Sequence, residues 1–164
     1  METTALHQNA LVIDGLNICN WSREIFDDMR AGGVTAVNCT CSLWENFTGT
    51  IHNVIQFKEW IDEHSDILLQ VHTTADIERA KRENKTGIML GWQNTSAIED
   101  QLGYLRIFRD LGVRIMQLTY NTQNYSGAGC WEKVDPGLSG FGEEVIDHMN
   151  QLGILCDLSH VGRK

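Results

Sequence analysis

The chain has 164 residues, of which 42% are hydrophobic, and it contains a single proline. This is enough apolar sequence for one domain with a core, and it is not the composition of a disordered chain. Its formal net charge of −9 at pH 7 argues against a nucleic-acid partner, because phosphate binding requires clustered Lys and Arg side chains.

No targeting or membrane-spanning segment is predicted. Residues 1–7 lack the basic and apolar regions of a signal peptide. No apolar run reaches the roughly 20 residues that cross a bilayer. We therefore expect one cytoplasmic domain, residues 1–164, with neither a membrane nor a nucleic acid as a partner.

Predicted strands and helices alternate in the first half of the chain. They are a strand at 11–13, a helix at 22–30, a strand at 34–41, a helix at 46–63 and a helix at 73–84. The apolar segment 67–71 is ambiguous between a small strand and part of a connection. Cys39 and Cys41 are two residues apart on a predicted strand and share a face, either as small core residues or as a redox or soft-metal pair.

The second half continues the alternation. It contains a strand at 87–90, a helix from 96 to 111, a strand at 113–118, a glycine-rich loop at 121–137 that we expect to be flexible, a helix at 139–152 and a strand at 154–158. Ser96 and Glu99 have the spacing of a capping box, which predicts that the helix begins there.

This alternation predicts an α/β fold of about five βα units, either a small open parallel sheet or part of a (β/α)8 barrel. A complete barrel needs about 250 residues, so the barrel interpretation makes this chain the first part of a longer protein. In both folds the functional residues are expected at the carboxyl ends of the strands.

Three strand ends carry side chains with suitable chemistry. Gln93 follows the third predicted strand and is suited either to a substrate amide or carboxylate or to loop backbone groups. Tyr120 follows the fourth and either offers its hydroxyl to an oxyanion or packs at the barrel rim. His160 follows the fifth and is either a metal ligand or proton carrier, or a structural histidine.

The strand-end motifs, taken in order, resemble the renal (membrane) dipeptidase family of zinc peptidases, as a divergent, bacterial-type branch. The motifs lie at 118–121, 137–142, 149–150 and 157–161, and the resemblance covers nearly the whole chain as the N-terminal part of the family's barrel. It implies a partial, metal-dependent (β/α)8 barrel that cleaves a dipeptide or similar small amide by metal-activated water. The implied cofactor is a pair of zinc ions bridged by a carboxylate and a hydroxide.

This chain departs from the family pattern at most of the metal positions. The family's first motif is Asp-Gly-His-x-Asp, and Leu16 and Ile18 stand at its two ligand positions. Gln93 replaces the bridging glutamate, and Tyr120 replaces a substrate-polarising histidine. His160 retains the identity of a ligand.

The resemblance implies a role for each matched residue. Gln93 and Tyr120 are catalytic candidates, Tyr120 and Asn121 are substrate-binding candidates, His160 is the metal ligand, and Asp157 supports the end of its strand. Three interpretations stay open: a branch with one metal, a metal-free barrel, and an enzyme with another ligand set. The alternative to a dipeptidase is a non-catalytic barrel that binds a small amino-acid-like ligand or a partner, and the open edges of a partial barrel also allow a homodimer.

Overall fold

Helices and strands alternate along the chain as predicted. The structure, a computed structural model, describes residues 3–164. Its strands are β1 (Ile13–Asn17), β2 (Ala36–Thr40), β3 (Leu68–Gln70), β4 (Thr86–Trp92), β5 (Val113–Gln117) and β6 (Leu155–Asp157). Its helices are α1 (Thr3–Asn9), α2 (Arg23–Ala31), α3 (Phe47–Glu63), α4 (Thr74–Arg82), α5 (Gly103–Leu111) and α6 (Gly140–Leu152), with a 3-10 turn at Thr95–Ile98.

The strands form one parallel sheet in the order β1-β2-β4-β5-β6. The short strand β3 pairs with the first half of β4, on residues 86–88, and β5 pairs with the second half, on residues 90–92. The five-strand path is a half-barrel, which confirms the predicted partial (β/α)8 barrel. The ambiguous segment 67–71 contains a strand of this sheet that also belongs to the connection between β2 and β4.

Several helix ends carry local capping residues. The side chains of Ser22, Asn46 and Ser139 each accept a backbone N–H in the first turn of α2, α3 and α6, as N-cap residues do. Gly112 and Gly153 end α5 and α6 with left-handed φ angles of 111° and 65°, which glycine adopts without a steric penalty.

The capping box predicted at Ser96 and Glu99 is wrong. The Ser96 hydroxyl donates to the carbonyl oxygen of Glu45 at 3.2 Å, and the Glu99 carboxylate accepts from the Phe47 backbone at 3.3 Å. Glu99 has a φ of 53°, which interrupts the helical turn, and α5 begins only at Gly103. Both side chains therefore fasten the turn to the start of α3 instead of capping α5.

The first strand begins later than predicted. Asp14 and Gly15, which follow the strand predicted at 11–13, lie inside β1. Asp14 pairs with Val37 of β2, and the Asn38 amide donates to the carbonyl oxygen of Gly15 at 3.0 Å. The neighbouring strand thus extends β1 by pairing, which the local sequence does not reveal.

The main core lies between the sheet and its helices. Alternate residues of the central strands contribute to it, including Val37, Leu90 and Met116, all of which are fully buried. Cys39 and Cys41 are buried in the same core, and burial raises the pKa of both thiols. This environment supports the interpretation of the two cysteines as small core residues.

Among residues 3–164, no helix combines the length and the apolar character needed to cross a membrane. The expected lack of a leader rests in part on Met1 and Glu2, which lie outside the described residues.

The packing of Phe108 generates a stability prediction. Its buried ring meets Trp92 edge-on at a centroid distance of 4.8 Å and Phe47 at 5.3 Å. We expect Phe108→Ala to lower the free energy of unfolding of the intact protein by about 3–5 kcal/mol, because it leaves a cavity in the core. Urea-induced unfolding followed by circular dichroism measures this loss.

The matched control is the preceding residue of α5. Ile107 is 43% exposed, so we expect Ile107→Ala to cost less than about 1 kcal/mol. Equal losses for the two variants would contradict the assignment of Phe108 to the core.

Candidate functional site

Three of the sequence-predicted residues meet at the carboxyl end of the half-barrel. His160 lies just after β6, and its Nδ1 atom is 2.7 Å from Oδ1 of Asn121, which follows β5. The Tyr120 ring stacks on the imidazole at a centroid distance of 4.4 Å and an interplanar angle of 28°. Tyr120, Asn121 and His160 therefore form one cluster, as the convergence of strand ends predicts.

The backbone of this cluster adopts unusual angles. Asn121 and His160 have φ values of 62° and 60°, in the left-handed region that residues other than glycine rarely adopt. Asparagine and histidine adopt this conformation more often than most residues, but it carries an energetic cost for both. The surrounding structure must therefore hold His160 in place.

The glycine-rich loop provides that support, and it is not the free loop that the sequence led us to expect. Residues 126–129 are buried. The Asn124 amide oxygen accepts from the backbone of Ser126 at 2.8 Å and of Gly127 at 3.2 Å, and its amide nitrogen donates to the Leu118 carbonyl at 2.7 Å. The loop is thereby fixed against the end of β5.

Residues 129–131 connect the loop to the cluster. Gly129 packs against the backbone of Asn121, where a Cβ atom would overlap the Asn121 carbonyl group. The Cys130 backbone donates to the carbonyl oxygen of His160 at 2.9 Å, and the Trp131 backbone donates to that of Asn121 at 2.8 Å. The Cys130 thiol also approaches Oδ1 of Asn121 at 3.4 Å.

Gln93 belongs to a second group of hydrogen-bonded polar residues on the sheet. It is 2% exposed, and its amide donates to the Thr40 hydroxyl at 3.1 Å. The buried Gln117 amide donates to the Gln93 backbone carbonyl at 2.8 Å. Among the hydrogen bonds of residues 3–164, none connects the side chain of Gln93 directly to His160.

The end of β1 has no metal-binding side chain at the two positions matched to the family's ligands. Leu16 and Ile18 are hydrocarbon side chains, and Ile18 is 64% exposed. The Asp14 carboxylate accepts from the Leu16 backbone at 3.1 Å and from the Asn17 amide at 3.0 Å, so it stabilises the strand end. Within the described part of the chain, no three His, Cys, Asp or Glu side chains lie together as metal ligands. These residues do not by themselves fit a two-zinc centre.

Trp44 belongs to the cluster although the sequence analysis did not identify it. Its indole packs edge-on against Tyr120 at a centroid distance of 5.4 Å, and it is 58% exposed. The Glu45 carboxylate accepts from the backbones of Leu43 at 2.7 Å and Trp44 at 3.1 Å. Partial burial favours the neutral form of Glu45, but these hydrogen bonds outweigh it and hold the pKa of this carboxyl below its usual value.

The sequence contains a weak signal for the residues that were missed. Trp44 and Cys130 lie in loops that follow predicted strands, the position at which α/β proteins place functional residues. That signal identifies the loops but does not select Trp44, Gly129 or Cys130 from among their neighbours.

Comparisons with known proteins agree with the strand-end motifs. The sequence profile described as membrane dipeptidase (peptidase family M19) matches residues 5–164. The dipeptidase tcpJ of Claviceps purpurea is 30% identical over 148 residues, which cover 82% of this chain and 35% of that protein.

Solved structures show the same fold. An amidohydrolase from Pseudomonas aeruginosa superposes with a TM-score of 0.98 and 52% identity, over 100% of this chain and 50% of that one. A metallo peptidase from Rhodobacter sphaeroides, liganded with a phosphinate mimic of the dipeptide L-Ala-D-Ala, has a TM-score of 0.83 at 16% identity, over 94% of this chain and 60% of that one. This chain thus spans about one third of tcpJ and about half of the amidohydrolase.

The contact of Gly129 with Asn121 generates a second stability prediction. We expect Gly129→Ala to lower the free energy of unfolding of the intact protein by about 1–3 kcal/mol, because the methyl group meets backbone atoms that cannot move independently. In Gly140→Ala the new Cβ meets no heavy atom within 4 Å, so a change within about 0.5 kcal/mol is expected. Thermal or urea unfolding of both variants makes the comparison, and a neutral Gly129→Ala would contradict the close packing.

Proposed function

This chain belongs to the membrane dipeptidase family, peptidase family M19, and from that premise we propose that the intact protein hydrolyses a dipeptide or a similar small amide. The observation that carries the proposal is the cluster of Tyr120, Asn121 and His160 at the carboxyl end of the half-barrel. This is the end at which barrel enzymes bind and convert their substrates. Because the chain spans only part of its relatives, the activity is proposed for the intact protein.

The proposed roles follow from the chemistry of each side chain. Tyr120 donates its hydroxyl hydrogen to the substrate, at a developing oxyanion or at a carboxylate. Asn121 lines the substrate site beside it. The amide nitrogen of Gln93 is engaged by Thr40, so its amide oxygen is the atom that would accept from a substrate N–H group.

We propose His160 as the ligand that this chain contributes to a metal ion, with zinc as the expected metal. The support is its residue type, its position after β6 and the hydrogen bond from its other ring nitrogen to Asn121, a common arrangement around metal-bound histidines. The described residues do not complete a two-zinc centre, so cleavage by a metal-activated water stays a prediction from the family resemblance. The cytoplasmic location, the single domain and a homodimer through the open sheet edges also stay predictions.

Metal content tests the role of His160. We expect His160→Ala in the intact protein to reduce the bound zinc per chain, measured by plasma mass spectrometry after removal of free metal. His148 is a half-buried histidine on α6, and His148→Ala should leave the zinc content unchanged. Unchanged zinc in His160→Ala would exclude His160 as a ligand.

Dipeptide hydrolysis tests the role of Tyr120. We expect Tyr120→Phe to lower kcat by about 10²-fold or more if its hydroxyl stabilises the transition state, since this is the usual cost of losing one such donor. Tyr125 is 67% exposed in the adjoining loop, and Tyr125→Phe should retain the wild-type kcat. Equal activity of both variants would remove Tyr120 from the catalytic residues.

A second candidate function is a non-catalytic barrel that binds a small amino-acid-like ligand. It is favoured by Leu16, Ile18 and Gln93, which occupy the matched metal positions with side chains unsuited to two zinc ions. Calorimetry with dipeptides and single amino acids distinguishes the two functions. Ligand binding by a metal-free wild-type protein that hydrolyses none of the dipeptides would establish the second function and contradict the first.

A further inference from the structure

We propose that Asn121 is a positioning residue that fixes the tautomer of His160, with the proton on Nδ1 and the lone pair on Nε2. The inference rests on the proposed function in assigning a use to His160, but the tautomer itself is a property of this chain. It gives Asn121 a role beyond the substrate contact expected from its position, because its amide oxygen is directed at the imidazole.

The hydrogen bond determines which ring nitrogen carries the proton. Oδ1 of Asn121 lies 2.7 Å from Nδ1 of His160 and 3.4 Å from the Cys130 thiol. An amide oxygen accepts hydrogen bonds and cannot donate them. The imidazole nitrogen must therefore donate, and in the neutral ring Nε2 then holds the lone pair.

Asn121 is held firmly enough to impose this choice. Asn121 is 5% exposed, and its backbone carbonyl oxygen accepts from the Trp131 backbone at 2.8 Å. Gly129 packs against its main chain, which leaves no room for a Cβ atom. The left-handed φ of 62° gives the Asn121 side chain a direction that a regular strand end would not give it.

The imidazole is held on its other sides as well. Its face stacks on Tyr120 at 4.4 Å. The carbonyl oxygen of His160 accepts from the Cys130 backbone at 2.9 Å and from the Thr119 hydroxyl at 3.4 Å. These contacts limit rotation of the ring and of the main chain, so the Asn121 hydrogen bond decides the tautomer of a side chain that is already oriented.

The chemical consequence concerns Nε2. A neutral imidazole binds a metal ion or takes up a proton only through the nitrogen that holds the lone pair. Because His160 is exposed, a ring with its Nδ1 engaged by Asn121 offers Nε2 as the reactive atom. Without the amide, both tautomers become accessible, and part of the population presents the wrong nitrogen.

Nitrogen-15 NMR of the intact, chelator-treated protein tests the tautomer directly. The His160 ring signals are assigned by their loss in His160→Ala and are read at alkaline pH. We expect a protonated Nδ1 in the wild type. We expect a mixture of tautomers in Asn121→Ala, and recovery of the protonated Nδ1 in Asn121→Asp, whose carboxylate also accepts.

Zinc affinity provides the second readout. We expect Asn121→Ala to weaken zinc binding about 10–100-fold, the usual effect of removing a hydrogen-bond partner of a metal-bound histidine, and Asn121→Asp to restore it. Asn150→Ala, at an exposed position on α6, is the matched control and should change neither readout. Circular dichroism of each variant verifies folding, and Asn121→Asp provides the test if Asn121→Ala does not fold.

The outcomes separate the two proposals. A proton on Nε2 in the wild type would mean that the Asn121 amide nitrogen, and not its oxygen, faces Nδ1, which would overturn the positioning role. An unchanged Nδ1 proton in Asn121→Ala would also overturn it. A protonated Nδ1 that depends on Asn121, in a protein that binds no zinc, would uphold the positioning role and refute the metal role of His160.

Discussion

Strand β4 is the element on which the rest of the structure depends, because it pairs with three other strands and is buried over its whole length. Gly87 and Gly91 allow this crowding, since the space for their missing side chains is taken by Val71 and Asn38. The residues after β4 connect the sheet to the candidate site by hydrogen bonds. The Thr95 hydroxyl donates to the Leu118 carbonyl at 2.8 Å and lies within hydrogen-bonding distance of the Ser126 hydroxyl. Ser126 belongs to the loop that holds Asn121 and His160 in place, so the packing of one strand reaches the exposed imidazole through a short series of contacts.

Features with a local cause could be predicted from the sequence. The helix starts near Ser22, Asn46 and Ser139 and the ends of α5 and α6 at Leu111 and Leu152 depend on interactions within one turn, and they agree with the predicted ranges. The capping box at Ser96 failed because its partners lie some fifty residues away, on the segment that begins α3. The start of β1 was misplaced for the same reason, since pairing with β2 and not the local composition sets its limits.

The candidate site shows the same division between local and distant causes. Placing functional residues at the strand ends predicted that Tyr120, Asn121 and His160 would converge, because parallel strands carry their carboxyl ends to one side of a sheet. The sequence could not show that the glycine-rich loop folds back, or that Gly129 and Cys130 contact the site residues. The contact of Cys130 with His160 joins residues on either side of α6, and composition alone indicated flexibility. A glycine required by close approach and a glycine in a mobile loop look alike in a sequence.

At the positions that the resemblance matches to the family's metal ligands, the loss of charge matters more than the change of shape. A bridging carboxylate offsets part of the charge of two zinc ions, whereas the Gln93 amide is neutral, 2% exposed and already engaged with Thr40. Leu16 stands at the matched histidine position and Ile18 at the matched aspartate position, so two further ligands and one more negative charge are missing. His160 is neutral whenever it can bind a metal, so it does not make up the deficit. A pair of dications would therefore depend on carboxylates from outside the described residues. A single metal ion or a neutral ligand would need far less additional negative charge. Family membership fixes the barrel and the direction in which its strand ends face, and this electrostatic balance decides which chemistry the barrel supports.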